Sequence, residues 1–477
     1  MGNLSLLTVE ILTAALGLFL LALGLLVPHS DRRGIGYVAT AGLAGLLIAA
    51  FAMRDSSGVA LSGYIIDPFG TYFKILFLAA AILTAVCSFD YVEKMGYNQG
   101  EYYALLVLAT LGMMVLTSAG ELISLYLGLE LMTITFCILA AYRLEDAKSA
   151  EAGIKYVLLG AMSSAVLLYG LSLVYGASGS TVIRQIGQVV SASGASPALL
   201  LGTIFLLAGF AFKITAVPFH MWSPDVYEGA PTPVTGFLSV ASKAAGFAAL
   251  VRVFFGALPE LHNFWIQLFL ALAVLTIVLG NLVAIPQTNI KRMLAYSSIS
   301  QAGYLLLGVV SFSVLGVGAI MYYAMLYVFG NMGAFMAATA FYNADGSDEI
   351  RDYAGLARRS PLMAAVMLFC MLSLAGIPPM AGFVGKFYLF TAIISRGYIW
   401  LAILGILMSM VSVYYYLMVA RSMYLGQPAA GSRPLRVAPA MQVAMLVSLL
   451  VLLFLGIYPT PLTNYAMNAA VTFFTMP

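Results

Sequence analysis

The chain has 477 residues, of which 62% are hydrophobic and 9% are charged, whereas soluble domains carry about 25% charged residues. A chain of this composition would precipitate in water, so its solvent must be lipid. Its net charge of +3 comes with no dense basic face, and this excludes a nucleic-acid binder.

The apolar runs, taken in chain order, are each long enough for one membrane-spanning helix, which needs about 20 apolar residues. Lipid satisfies no backbone hydrogen bonds, so runs of this length must be helices. We predict an all-α polytopic membrane protein, a single membrane domain over 1–477, with about fourteen transmembrane helices: 4–27, 35–53, 68–89, 102–118, 121–142, 153–176, 200–222, 232–256, 263–284, 293–312, 314–342, 361–394, 398–425 and 438–459.

Basic residues are distributed unevenly between the joints that connect these helices. With both termini outside, four lie in outer joints (Arg54, Arg184, Arg252 and Arg396), and thirteen lie in inner joints: Arg32, Arg33, Lys94, Arg143, Lys148, Lys291, Arg292, Arg351, Arg358, Arg359, Arg421, Arg433 and Arg436. Cytoplasmic loops carry the excess of Lys and Arg. We therefore predict that both termini, and the joint 177–199, face outward from a bacterial plasma membrane.

The remaining five basic residues lie inside helices, where a charge at the bilayer centre costs at least about 2.5–3.5 kcal/mol. They are Lys74, Lys155, Lys213, Lys243 and Lys386. Among the acids, Glu130 lies deep and Glu10 lies near the start of the first helix. Charged residues inside membrane helices normally face the interior of the helix bundle or a water-filled cavity. These residues are therefore the candidates for an ion pathway.

Structural alternatives differ by position. Lys74 could pair with Asp67 at the outer edge, and the roles of Lys74 and Glu10 stay open. Lys155 follows Glu151 by one turn, in the favourable order for a plain interfacial ion pair. Lys213, Lys243, Lys386 and Glu130 lie deeper, which favours a functional role over a purely structural one.

Two helices contain breaks beside these lysines. Pro218 removes a helical hydrogen bond five residues after Lys213, and Pro378 and Pro379 stand eight and seven residues before Lys386. Two breaks, each beside a midspan lysine, indicate cavities at both sites. Beyond the first break lies His220, which could pass protons at neutral pH or cap the broken helix end.

The two broken helices, the seventh and the twelfth, are five apart, and a repeat with an odd number of helices enters the membrane from opposite sides. Inverted repeats with broken helices at the site are known in transporters. From this pattern we predict two inverted five-helix repeats, 102–256 and 263–425.

The buried groups predict a proton switch. Desolvation and neighbouring positive charge both favour the neutral form of a lysine, so such a lysine can take up and release a proton near neutrality. Glu130 favours the charged form of the lysine that it approaches. Moving or screening that carboxylate would change the lysine's affinity for protons, which is the core of a relay.

Motifs for other chemistry are missing. Cys87, Cys137 and Cys370 fall in apolar runs without a CxxC, so we interpret them as packing residues. Gly34-x-Gly36 opens a membrane helix with no preceding strand, which argues against a dinucleotide site. No ligand set for a flavin, metal or iron–sulfur cluster is found, so energy for pumping must come from an ion gradient or a partner.

The run 212–235 resembles the subunit N family of antiporter-like subunits in the proton-pumping NADH–quinone oxidoreductase, respiratory complex I. Further matching stretches are Gly128–Leu131, Lys155–Ala161, Ser242–Phe247, Lys291–Ile299 and Ala375–Phe387. Lysine at positions 243 and 386 favours subunit N over the sister subunits L and M. Subunit L is also disfavoured because no long lateral helix is predicted after residue 459.

This resemblance implies fourteen helices, two inverted repeats and one proton channel. It implies that Glu130 pairs with Lys213, that Lys243 is the central relay lysine, and that Lys386 serves the outward half, with Lys155 in a less certain role. The proton relay would then contain Glu130, Lys155, Lys213, His220, Lys243 and Lys386.

Three functions are compatible with these residues. The first is a non-redox, proton-pumping subunit of NADH–quinone oxidoreductase, packed beside other membrane subunits, with NADH, FMN, iron–sulfur clusters and quinone bound by partner chains. The second is a subunit of a multisubunit sodium/proton antiporter, which the 226–233 motif disfavours. The third is a membrane subunit that packs a complex without conducting, against which the four buried charges argue.

Overall fold

The computed structural model describes residues 4–27, 33–60, 63–95, 99–428 and 433–475. Arg32, which entered the orientation prediction, lies outside them. The first half of the described chain forms helices α1 (Thr8–Leu26), α2 (Arg33–Ala52), α3 (Pro68–Met95), α4 (Gln99–Ser118), α5 (Leu122–Ala140), α6 (Ala147–Ser178), α7 (Ile183–Ser193), α8 (Pro197–Lys213), α9 (Trp222–Gly229), α10 (Thr232–Phe237) and α11 (Lys243–Gly256).

The second half forms helices α12 (His262–Ala284), α13 (Ile290–Val310), α14 (Val314–Asp345), α15 (Leu356–Arg359), α16 (Pro361–Ala375), α17 (Ala381–Ile394), α18 (Ile399–Leu425), α19 (Pro439–Ile457) and α20 (Thr460–Thr475). One short antiparallel hairpin, β1 (Gly58–Ala60) and β2 (Tyr64–Ile66), connects α2 to α3. Polar caps set several helix starts; the Asn289 side chain, for example, accepts from the backbone N–H groups of Lys291 and Arg292 in the first turn of α13.

Twelve helical segments among the described residues are long and apolar enough to cross a membrane. Two discontinuous segments complete the predicted fourteen: α8 with the turn that follows it, and α16 with α17. The predicted fold class and the predicted breaks in the seventh and twelfth segments are confirmed.

The eighth segment, Thr232–Gly256, lies at the centre of the bundle and is buried along its whole length. It joins α10 to α11 through a π-helical turn, Leu238–Ser242, and packs against α3, α4 and α14. The outer helices instead expose large apolar side chains such as Leu18, Leu168 and Met410, as a lipid-facing surface requires.

Four helices were not predicted, of which α9 and α15 are short and lie in the joints that follow the seventh and eleventh segments. Helix α7 lies in the joint 177–199, and α20 follows residue 459 and packs against α3 and α14. Arg252 was assigned to an outer joint, and this was wrong: it lies within α11, buried, because the carboxylate of Asp67 neutralises it there.

Candidate functional site: three buried lysines and the groups between them

The seventh segment breaks immediately after Lys213. Helix α8 ends at that residue, and Thr215 has a φ of 61°, a left-handed conformation that costs of order 1–3 kcal/mol and recurs at functional sites. Pro218 has no N–H to continue the helical ladder, and α9 begins only at Trp222. Lys213 thus occupies the last turn of α8, where the helix dipole favours a cation.

A threonine, and not a carboxylate, holds the ammonium group of Lys213. Lys213 is 4% exposed, and its Nζ donates a hydrogen bond of 2.5 Å to Thr133 Oγ1 on α5. Its Nζ also lies 5.6 Å from the ring centroid of Phe212. Among the residues that the structure describes, no carboxylate oxygen comes within 4.0 Å of Nζ.

Glu130 lies on α5, one turn before Thr133. It lines a cavity of about 990 Å³ between α5 and α6, and its Oε1 atom is buried without a hydrogen-bond partner. The resemblance implied that Glu130 pairs with Lys213. In this structure the two interact electrostatically without direct contact, because Thr133 accepts the lysine's hydrogen bond.

Lys243 directly follows the π-helical turn of the eighth segment. Its Nζ donates to Ser298 O at 2.8 Å and also to Ser298 Oγ, and it lies 5.7 Å from the ring centroid of Tyr227. π-helical turns are rare and are frequent at functional sites. Lys243 is 2% exposed and is surrounded by neutral acceptors and an aromatic face.

The twelfth segment breaks beside Lys386. Helix α16 ends at Ala375, and Gly376 follows with a φ of 83°; a Cβ on Gly376 would lie 3.0 Å from Lys386 Cδ. The Nζ of Lys386 donates to Ala375 O at 3.1 Å and to Ser409 Oγ at 2.9 Å. It lies 4.5 Å from the ring centroid of Tyr304, next to a cavity of about 370 Å³.

Hydroxyl and amide groups extend from Lys243 into the second half of the bundle. Ser298, which binds Lys243, is adjacent to Ser297 on α13, and Ser297 Oγ shares a hydrogen bond of 2.5 Å with Tyr416 OH. The same phenol accepts from Gln301 Nε2 at 3.2 Å. This polar series therefore runs from Ser297 to α18, the thirteenth segment, and begins one residue away from the Ser298 that binds Lys243.

A second polar series reaches back from Lys386. Tyr304, whose ring faces Lys386, accepts a hydrogen bond of 3.3 Å from Asn281 Nδ2. Asn281 Oδ1 accepts from Tyr415 OH at 3.1 Å, and Tyr415 lies next to Tyr416 with ring centroids 4.4 Å apart. The two series thus meet at adjacent tyrosines of α18 and connect the surroundings of the two lysines.

These connecting residues were not predicted from the sequence. Serine and tyrosine are ordinary in membrane helices, so their types alone carry little signal. Asn281 in the middle of an apolar run, and three consecutive tyrosines at Tyr414–Tyr416, were the signals that could have found them.

His220 lies in the turn that follows the first break. It is 7% exposed, its ring faces the Pro218 carbonyl, and its Nδ1 atom is buried without a hydrogen-bond partner. The unpaired nitrogen needs a partner such as water, so the site can accommodate a polar molecule beside the break.

Lys155 is placed apart from the three buried lysines. It is partly exposed and forms ion pairs with Glu151 at 2.6 Å and with Asp225 at 2.5 Å. Asp225 also pairs with Arg292 at 2.8 Å. Partial burial opposes the ionisation of Asp225, but the hydrogen bonds from Lys155 and Arg292 outweigh it and lower the pKa of this carboxyl group.

Two further buried ion pairs lie on the side of the hairpin. Lys74 Nζ lies 2.5 Å from Glu10 Oε1, and Tyr64 OH donates to the same carboxylate oxygen at 2.9 Å. Arg252 and Asp67 pair at 2.9 Å. The alternative that Lys74 pairs with Asp67 was wrong, because each of the two has another partner.

Comparison with known proteins agrees with this architecture. Residues 119–412 match the family described as Proton_antipo_M, NADH:quinone oxidoreductase/Mrp antiporter, TM. NADH-quinone oxidoreductase subunit N of Moorella thermoacetica is 86% identical over 99% of this chain and 100% of the relative. The subunit N of Desulforamulus reducens is 53% identical over 99% of both chains.

Solved structures show the same fold. A chain of respiratory complex I from Thermus thermophilus with bound aureothin has a TM-score of 0.82 and 33% identity, over 96% of this chain and 98% of that one. A chain of the Mrp complex from Dietzia sp. has a TM-score of 0.86 over 97% and 98%, and its 24% identity shows the fold alone. The chain therefore belongs to the NADH:quinone oxidoreductase/Mrp antiporter family of membrane subunits and, within it, to the NADH-quinone oxidoreductase subunit N family.

Proposed function

We propose that this chain translocates protons as a membrane subunit of an NADH–quinone oxidoreductase, through a relay of Glu130, Lys213, Lys243 and Lys386. The observation that carries the proposal is shared by the three lysines. Each is buried and donates to hydroxyl or carbonyl oxygens, and no carboxylate of the described residues is in contact with any of them. A charged group buried without a counter-ion is costly. Each lysine can therefore release its proton and be reloaded when a nearby charge changes.

Glu130 is the group whose position controls this release. Its Oε1 is unpaired and Lys213 bonds to Thr133 instead, so the carboxylate and the ammonium group are not in contact. If the carboxylate approaches Lys213, it stabilises the ammonium form; if it withdraws, the proton moves on towards Lys243. The cavity beside Glu130 gives the side chain room for this movement.

His220 and Lys155 have different parts in the proposal. His220 passes protons beside the break, because its unpaired buried nitrogen can bond to a water. Lys155, ion-paired with Asp225 on α9, holds the segment beyond the break against α6 and so acts as a positioning residue at the end of the relay.

The energy for this transfer comes from other chains. Within the described part of the chain, no group of three or more His, Cys, Asp or Glu could hold a metal ion. We infer that NADH, FMN, iron–sulfur clusters and quinone are bound by partner subunits, and that this chain takes part in the enzyme without a redox site of its own. Its partners are sister antiporter-like and other membrane subunits, packed through apolar helix faces.

Matching helix pairs support the two inverted repeats, 102–256 and 263–425. In the first, α4 and α5 approach so closely that a Cβ on Gly112 would lie 2.6 Å from Met132 N. In the second repeat, α12 and α13 approach equally closely, and a Cβ on Gly280 would lie 2.6 Å from Ser300 N. The same close glycine packing recurs at corresponding places in both halves.

The corrected position of Arg252 supports the proposed orientation in the bacterial plasma membrane. With Arg252 buried in α11, the outer joints keep only Arg54, Arg184 and Arg396 of their four basic residues. Lys291 is equally buried within α13, so by the same reasoning the inner joints keep twelve of their thirteen basic residues, and the inner excess remains. Both termini should face outward, and labelling of cysteines introduced into 343–360 from outside intact cells would contradict this.

Replacement of Lys213 tests the relay. In the native complex in membrane vesicles, Lys213→Ala should leave assembly intact and cause a severe loss of proton uptake and of the coupled quinone reduction. Lys213→Arg keeps a positive group that does not readily deprotonate, so this variant should show little more proton uptake than Lys213→Ala. Arg54→Ala, which removes an exposed basic residue paired with its neighbour Asp55, is the control.

Glu130 variants complete the test. Glu130→Ala should slow turnover. Glu130→Asp keeps the charge on a shorter side chain, so it should slow turnover less than Glu130→Ala does. Normal proton uptake by an assembled Lys213→Ala complex would rule out the relay in this form.

A further inference from the structure

Two acidic side chains of α9 are each shared between the helices α6 and α13. Asp225 accepts from Lys155 of α6 with Oδ2 at 2.5 Å and from Arg292 of α13 with Oδ1 at 2.8 Å. Glu228, one turn later, accepts from Lys148 of α6 with Oε1 at 2.9 Å and from Arg292 with Oε2 at 3.1 Å. Each carboxylate therefore uses one oxygen for α6 and the other for α13.

Arg292 joins two regions that lie far apart in the chain. Helices α6 and α9 belong to the first proposed repeat, 102–256, whereas α13 belongs to the second, 263–425. The side chain of Arg292 is 32% exposed, and a single ion pair at such a place contributes little stability. An arginine that binds two carboxylates at once holds them in a fixed geometry. The main effect of Arg292 is therefore on the position of α9.

The start of α9 is attached to the break beside Lys213. Trp222 is the first residue of α9 and is 2% exposed. Its Nε1 donates to Phe212 O at 3.1 Å, and the centroids of the two rings lie 5.4 Å apart. Because Phe212 directly precedes Lys213, a displacement of α9 moves the backbone that carries this relay lysine.

The helix that carries Arg292 also holds the acceptor of Lys243. Ser298, which accepts from Lys243 Nζ, lies on α13 six residues after Arg292, a rise of about 9 Å. Over so short a length a helix moves as one body. Arg292 therefore lies between the helix that is attached to the break at Lys213 and the helix that binds Lys243.

We propose that Arg292 is a positioning residue for the relay, which fixes α9 against α13 and so couples the break at Lys213 to the acceptor of Lys243. The inference rests on the proposed relay, because it names the residue that makes two relay lysines respond together when Glu130 moves. Arg292 carries no proton in this role, since its guanidinium group does not readily deprotonate.

Replacement of Arg292 should leave this region folded. Each carboxylate of α9 keeps its lysine on α6, so neither charge is left uncompensated. The end of α9 also stays attached to α13, because Lys291 donates from Nζ to Ala230 O at 2.8 Å. Arg292→Met thus removes the connection through the side chains of α9 and retains the pairing of the carboxylates.

The test measures kcat and the KM for quinone, per assembled native complex, in membrane vesicles. Arg292→Met should lower kcat several-fold and leave the KM unchanged, because the quinone site is expected in partner chains. Arg292→Lys keeps a cation with a different shape, so its kcat should lie between those of Arg292→Met and the unchanged chain. Arg359→Met is the matched control. Arg359 binds Asp345 through two hydrogen bonds within the second proposed repeat alone, and its replacement should leave kcat unchanged.

A double-mutant cycle tests whether Arg292 acts on the break through α9. Trp222→Phe removes the hydrogen bond to Phe212 O and keeps an aromatic ring, and it should also lower kcat. If both residues act through the position of α9, the double variant should lose no more kcat than the more impaired single variant. Independent sites would instead give losses that multiply.

The possible failures can be told apart. Unchanged kcat in Arg292→Met or in Trp222→Phe, an equal loss in Arg359→Met, or losses that multiply would overturn the positioning role, even if Lys213→Ala abolishes pumping. A lower inactivation temperature with unchanged kcat would also overturn it, since that result indicates stabilisation alone. If Arg292→Met does not assemble, the same cycle with Arg292→Lys decides. Normal proton uptake by Lys213→Ala would instead remove the relay itself.

Discussion

Lys213 donates its hydrogen bond to Thr133, one helical turn beyond the carboxylate that was expected to hold it. The hydroxyl keeps the ammonium group solvated inside the bundle while Glu130 stays free to move. A neutral acceptor therefore holds the lysine in place of the carboxylate, and removal of this acceptor should change the lysine's position.

We predict that Thr133→Val slows quinone reduction and proton uptake. A hydrogen bond to a charged group is worth about 1.5–3 kcal/mol, so loss of this acceptor should draw Lys213 towards Glu130 and lower turnover by about tenfold or more. Thr133→Ser keeps the acceptor and should retain most activity. Turnover of Thr133→Val equal to that of the unchanged chain would show that the threonine only packs the helices.

Gly376→Ala should impair pumping through Lys386. A Cβ at this position would lie 3.0 Å from Lys386 Cδ, and the φ of 83° strains any L side chain. Gly397→Ala is a matched control, because its φ is 84° and no atom lies within 4 Å of the added Cβ. Both variants carry the same backbone strain, so only Gly376→Ala should reduce proton uptake; equal loss in both would assign the effect to strain.

Tyr416→Phe should interrupt the polar series between Lys243 and Lys386. The phenol exchanges hydrogen bonds with Ser297 and Gln301, and phenylalanine keeps the ring without the hydroxyl. We expect slower proton transfer with normal assembly, measured as proton uptake per turnover and as turnover itself. Tyr353→Phe removes a buried hydroxyl that lies outside this series and should leave proton transfer unchanged. If both are neutral, protons pass by another route.

The Glu10–Lys74 pair should behave as a stability element. Removing one partner of a buried ion pair costs about 3–5 kcal/mol, because the remaining charge is uncompensated, whereas replacing both is often nearly neutral. Glu10→Gln and Lys74→Met should each lower the temperature at which the complex inactivates, and the double variant should recover most of the loss. Additive losses in the double variant would show that the two side chains are not coupled.

The fold could be predicted from the sequence because the bilayer restricts the possible structures. Long apolar runs must be helices, and a proline beside a midspan lysine interrupts the helix that contains it. The deep positions of Lys213, Lys243 and Lys386 followed from the same rule, since a charge within an apolar run has to be accommodated somewhere. Partners could not be predicted in this way. Thr133 binds a lysine 80 residues later, and a contact over that separation depends on how the helices pack.

Arg252 shows the limit of reading charge by position alone. It lies near the end of an apolar run, where a loop residue was expected. Asp67, which immediately precedes α3 far earlier in the chain, nevertheless neutralises it inside the bundle. Nothing local distinguishes such a residue from an exposed one.

The complete burial of the eighth segment has a consequence for biogenesis. This segment carries both Lys243 and Arg252, and two charges make a lone helix costly to insert, at about 2.5–3.5 kcal/mol each. Asp67 is synthesised long before Arg252, so its carboxylate is already in the bilayer when the arginine emerges. The acceptor of Lys243, Ser298, arrives only afterwards. During synthesis the eighth segment must therefore stay next to α3 until α13 follows, and Asp67→Asn should expose the nascent chain to membrane proteases before the bundle closes.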